Sequence, residues 1–106
     1  MLKQIEKLIG TKVIIRSYAA GVFYGKLAEV EPLEDKYAVT MRECRRLWYW
    51  SGACSLSQLA TDGVANPNSC KFTVYVPEMC ITGVIEVIST TSASQKSIES
   101  VKIWRS

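Results

Sequence analysis

A chain of 106 residues, 48% of them hydrophobic, can build one modest core and has no room for a second, so residues 1–106 read as a single domain. Thirteen basic against ten acidic side chains leave +3, too small an excess to hold a polyanion at physiological salt, so any anion site must come from local clustering. Histidine is absent, and Cys44, Cys54, Cys70 and Cys80 form no Cys-x-x-Cys pair, so neither a zinc site nor another metal or cofactor is expected.

Met1 to Ile9 mix Lys3, Glu6 and Lys7 among apolar residues and hold no long apolar core. Neither a secretory signal nor a membrane span is expected there, and the protein is expected to be soluble and cytoplasmic. In that compartment the cysteines are expected to be reduced, small, buried hydrophobes. Leu2, Ile5, Leu8 and Ile9 recur at helical spacing until Gly10, which predicts a short amphipathic opening helix. From Thr11 the period changes to two: Val13 and Ile15 alternate with Lys12, Ile14 and Arg16. Tyr18 to Gly21 then supply a turn before a second β-rich run, Val22 to Val30. Gly25 interrupts that run where a bulge or sharp bend is expected.

Pro32 to Asp35 form a polar turn, and Tyr37, Val39 and Met41 alternate with Ala38, Thr40 and Arg42 as a third strand. If Cys44 to Trp50 is also extended, Cys44, Arg46, Trp48 and Trp50 share one face and Arg45, Leu47 and Tyr49 the other. A helical pattern of Ala53, Leu56, Leu59 and Ala60 follows, closing near Asp62-Gly63, so a helix is expected directly after the tryptophans. Ala65 to Ser69 read as a loop. Phe72, Val74 and Val76 read as a strand that Pro77 ends, and a further strand runs from Gly83 to Ser89. Thr90, Thr91 or Ser92 can cap a helix over Ala93 to Ser100, and Val101 to Trp104 are expected to be extended.

This order predicts an α+β fold: a small, strongly bent antiparallel sheet or barrel of Sm or SH3-like kind, with short N-terminal, central and C-terminal helices. Leu2 to Met41, an amphipathic helix followed by bent strands, is similar in pattern to the Sm-like barrel of RNA-binding rings. Small barrels expose edges that partner subunits cover, so a homo-oligomer is expected.

The chemistry concentrates in Arg42-Glu-Cys-Arg-Arg-Leu-Trp-Tyr-Trp-Ser-Gly52, where three arginines adjoin two of the three tryptophans. Guanidinium forks fit phosphate and aromatic faces stack on bases, so Arg42, Arg45, Arg46, Trp48, Tyr49 and Trp50 are candidate nucleotide ligands. A helix start beside them would add backbone N–H groups, with hydroxyls from Ser51 and Ser55. Ser57 and Gln58 on that helix, and Tyr18 at the first turn, complete the candidates. Each has a plainer reading: aromatics in a core or interface, arginines on a solvated face paired with Glu29, Glu31 or Glu43, serines facing water. Catalysis is not expected. There is no nucleophile elbow or Walker loop, and Glu78 near Cys80 or Asp62 near Ser57 fit turns and caps equally well.

The stretch Arg45 to Ala60, the Asn66-Pro67 loop and the ending Ser89 to Trp104 resemble a family of small phage and prophage proteins known as a domain of unknown function. Small phage proteins of this size include sponges that bind cyclic or ADP-ribose-derived immune messengers inside multimers. The resemblance therefore implies an anti-defence protein in the host cytoplasm, sequestering a small nucleotide without turnover. Two alternatives stay open: an Sm-like oligomer binding single-stranded RNA or DNA, which the modest charge disfavours, and an inhibitor whose Trp and Arg residues dock on a host protein.

Overall fold

A computed structural model describes residues 2–105; Met1 and Ser106 lie outside the described residues. In chain order it comprises α1 (Leu2–Glu6), β1 (Lys12–Ser17), β2 (Gly21–Leu33), β3 (Lys36–Tyr49), α2 (Leu56–Asp62), β4 (Lys71–Phe72), β5 (Val76–Ser89) and α3 (Ser92–Ser100). A single 3-10 turn over Pro67–Ser69 precedes β4. The strands form one strongly bent antiparallel sheet in the order β2-β1-β5-β3-β4. A further β2–β3 pairing returns the ladder to its first strand, giving a barrel-like α+β fold. α1 is shorter than its periodicity predicts: turns replace helix from Lys7 to Gly10.

β1 explains why both faces of the sheet are covered. Val13, Ile14 and Ile15 are all fully buried, where alternation predicts Ile14 on the polar face with Lys12 and Arg16. Val13 and Ile15 join Phe23, Leu27, Val39 and Met41 in an inner core that Ile5 of α1 plugs. Ile14 joins Tyr24, Leu47, Leu59, Phe72 and Ile98 in a second core beneath α2 and α3. Burying such an isoleucine contributes about 1.5–3 kcal/mol, one of many such contributions within this outer core.

The helices are held by side-chain caps. Ser55 accepts from the Gln58 amide and Thr91 from the Ser94 amide. Ser94 is buried and donates to the Leu59 carbonyl at 2.7 Å, joining α3 to α2. α2 therefore begins at Leu56, not directly after the tryptophans.

The bend in β2 lies where glycine predicts it. Tyr24 pairs with Arg45 and Lys26 with Arg42, so Gly25 alone faces Glu43 and Cys44: a β-bulge. A Cβ on Gly25 would stand 2.8 Å from the Cys44 Cα, so no other residue fits without moving β3. Glu43, the first residue of the bulge, has φ 47°, a left-handed conformation that usually takes glycine.

Pro77 does not end a strand. β4 stops at Phe72, and β5 runs unbroken through Pro77 and Gly83 to Ser89, with Val76 opposite Cys44 and Glu78 opposite Arg42. Pro77 thus lies opposite Glu43 of the bulge, where the ladder is already distorted and a missing N–H costs least. Cys44 and Cys70 are buried as expected, whereas Cys54 and Cys80 are exposed, and all four are free thiols. Burial pushes the Cys44 thiol up to about 12, so it stays protonated and inert.

Candidate functional site

The structure disperses the run from Arg42 to Trp50. The predicted alternation holds as far as Leu47: Cys44 enters the inner core, while Arg45 and Leu47 enter the outer one. Arg45 is 1% exposed and has no room for a ligand phosphate. Its Nε donates to the Thr73 carbonyl at 3.0 Å, Nη2 to Phe72 at 3.2 Å, and Nη1 to Ile98 at 3.0 Å and Val101 at 3.1 Å. The Ile98 carbonyl belongs to the last turn of α3, so the guanidinium caps the negative end of that helix. Its planar faces are covered by the rings of Tyr75, 4.7 Å away, and Phe72, 5.5 Å away. As a nucleotide contact Arg45 is corrected: it is a structural staple.

Arg46 and Arg42 have local partners. Arg46 lies 4.5 Å over the Phe23 ring, and its Nη1 donates to the Ala20 carbonyl in the β1–β2 turn. Arg42 pairs with Glu78 at 2.6 Å, an exposed bridge worth about 0–1 kcal/mol. Trp50 is half-buried and packs on the outer core beside Val22 and Leu56. Ser51 is not at a helix start; its Oγ accepts from Asn66 Nδ2 at 3.2 Å in the preceding loop. Ser55 is spent as the α2 cap, Gln58 accepts from the Cys54 amide at 2.9 Å, and Ser57 is exposed. Tyr18 stands at the β1–β2 turn, 77% exposed, with Lys36 Nζ 5.4 Å from its ring.

Two surface features stand apart from these contacts. The first is the far end of β3, past its last β5 partner Cys44, where Trp48 and Tyr49 are 63% and 51% exposed. Tyr49 pairs with Lys71 of β4, whose Nζ lies 5.5 Å from the ring of Trp104, itself 44% exposed. Trp104 is placed by its amide, which donates to the Phe72 carbonyl at 2.8 Å, and by a parallel bridge between Ile103 and Phe72. β3 and the C-terminal segment thus present exposed rings on either side of β4, whose Lys71 lies against Trp104. Lys71 and Trp104 were outside the sequence candidates, because only the fold brings residues 49, 71 and 104 side by side.

The second is a cavity of about 420 Å³ beside the bulge, with Gly25 in its lining. Lys12 and Lys26 line it from neighbouring strands, and Glu43 and Glu99 supply carboxylates. Tyr24 and Tyr75 form aromatic wall. Glu99 accepts from the Tyr24 hydroxyl at 2.5 Å and pairs with Lys12 at 2.7 Å. Burial raises the Glu99 carboxyl, but the hydrogen bonds from Lys12 and Tyr24 outweigh it and hold the group below the ordinary glutamate range. Burial and the adjoining Glu99 push the Tyr24 phenol far up, so it remains a donor. None of these six residues was a sequence candidate; they come from three strands, the β4–β5 connection and α3, which only the fold brings together.

Among the described residues no group of three or more His, Cys, Asp or Glu could hold a metal ion, and no helix is long and apolar enough to cross a membrane. Comparison with curated proteins and with solved structures returns no match. Residues 10–98, from the end of the opening turn to the last turn of α3, match the family described as a domain of unknown function, DUF6948, and the chain belongs to that family.

Proposed function

We propose that this protein binds a small nucleotide messenger without turning it over, and acts by sequestering it in the anti-defence manner that its resemblance to small phage proteins implies. The observation that carries this reading is the exposed edge with Trp48 and Tyr49 on one side of β4 and Trp104, against Lys71, on the other. Flat, accessible rings stack on bases of any sequence, and the ammonium group answers a phosphate. Stacking contributes about 1–3 kcal/mol per base, so two stacked bases supply roughly 2–6 kcal/mol against the roughly 8 kcal/mol of a micromolar complex. An open edge on one copy is therefore too weak, and closure by a second copy is part of the proposal. The bent sheet with its N-terminal helix suits an Sm-like assembly of this kind, working in the host cytoplasm. The openness of the edge is the feature that favours single-stranded RNA or DNA as a second reading.

Native mass spectrometry of the wild type, Trp48→Ala and Trp104→Ala, with cyclic dinucleotides, cyclic ADP-ribose isomers and short oligonucleotides, tests the proposal. A discrete multimer that retains an intact small nucleotide, and loses it in both variants, is expected. Retention of oligonucleotides alone, with affinity falling steeply as salt rises, selects the polymer reading. Retention of nothing, or retention unchanged in both variants, overturns nucleotide binding at this edge.

A further inference from the structure

We infer that the cavity beside the Gly25 bulge is a second ligand site, built for a small monoanion that carries an amino group on a ring. It uses none of the edge residues and stands or falls separately from the nucleotide reading above.

The charge arrangement makes the case. Lys12 lies directly opposite Lys26, and Lys26 directly opposite Arg42, which sets three cations in a row across three strands. Like charges in register destabilise a sheet. Lys12 is answered by Glu99 and Arg42 by Glu78, but the central cation, Lys26, has no carboxylate within ion-pair distance among the described residues. Glu43 lines the same cavity and, among the described residues, is also without an ion-pair partner. One unpaired cation and one unpaired anion thus face a common space: the first can take an anionic group, the second an amino donor.

The backbone beneath is strained to produce this. Glu43 holds a left-handed conformation that costs about 1–2 kcal/mol in a residue with a Cβ, and glycine would relieve it. The bulge opposite Gly25 takes up that conformation, and it sets the exposed Glu43 at the cavity wall.

Charge bounds the ligand. Lys12 and Lys26 balance Glu43 and Glu99, so the lining is neutral overall and offers one free cation to a single anionic group rather than several to a polyphosphate. The volume, about 420 Å³, is within the usual range for a small-molecule site, and Tyr24 and Tyr75 offer a ring its apolar contact.

Two sources share this chemistry, a cyclic mononucleotide and an aminoaryl carboxylate. Isothermal titration of the full chain with 3′,5′-cyclic AMP against the 3′,5′-cyclic phosphate of purine riboside, and with anthranilate against benzoate, compares each amine with its analogue bearing hydrogen in place of the amine. At least one amine is expected to bind about tenfold more tightly than that analogue, the value of one hydrogen bond to a charged acceptor. The pair that shows the difference identifies the source. Lys26→Ala should weaken that ligand about tenfold or more, and Glu43→Gly should erase the preference for the amine while raising the melting temperature. Binding of none of the four, or equal binding within each pair, or binding indifferent to Lys26→Ala, overturns the proposal.

Discussion

The two halves of the Arg and Trp run behave in opposite ways, although both lie on β3. From Cys44 to Leu47 the strand is paired with β2 on one side and approached by α3 and the β4–β5 connection on the other, so Arg45 is enclosed and saturated with carbonyls. Past Leu47 only the two-residue β4 accompanies it, and Trp48 and Tyr49 stand in solvent. An arginine and a tryptophan three residues apart therefore do different work. The number of neighbouring strands decides which, and residue type does not.

The contrast can be broken at its strongest point with Arg45→Ala. That change takes a donor from four carbonyls: Phe72 and Ile98 keep the amides of Trp104 and Val101, while Thr73 and Val101 lose the guanidinium that answers them, and each unpaired buried group costs about 1–3 kcal/mol, so a loss on the order of 3 kcal/mol is expected in denaturant unfolding. A loss under about 1 kcal/mol would return Arg45 to the surface chemistry first read from its sequence.

A smaller effect separates the α3 side by pH. Lys12 and Tyr24 hold Glu99 more firmly ionised in the folded chain than in the unfolded one, so its charge stabilises the fold above the ordinary glutamate range. That contribution is lost as pH falls through the lowered folded value. The stability gap between wild type and Glu99→Gln should be full at neutral pH and close below about pH 4. A gap that is constant with pH would mean that the carboxylate charge contributes nothing.

The smallest effect belongs to the outer half. Trp48→Ala should leave unfolding within about 0.5 kcal/mol of wild type, as at other surface positions without a special contact. A loss of 3–5 kcal/mol, the order seen for a buried aromatic, would place the ring in a core or an obligate interface.

What was legible in the residues follows from range. The first hairpin, the bend at Gly25, the Thr91 cap and the alternation of Cys44 to Leu47 are local, and period or turn chemistry announces them. Ile14 escaped because a strand covered on both faces shows no alternation in burial. Pro77 misled because its cost depends on what lies opposite, here the Glu43 bulge. Arg45 looked available because its partners are carbonyls at 72, 73, 98 and 101, which no spacing rule connects to it. The Lys12–Lys26–Arg42 row is invisible for the same reason: each cation sits in a different strand, and only register sets them abreast.

The position of β5 has a consequence for how the chain reaches this state. β5 lies between β1 and β3, although both precede it by more than two dozen residues. Until Val76–Ser89 arrives, the β1–β2–β3 meander has two unsatisfied rims and its inner core lacks Ile81 and Val84. Folding must therefore wait on long loop closure, which places the protein among slow folders for its size. During synthesis the first half is the segment most exposed to chaperones and to pairing with another nascent copy.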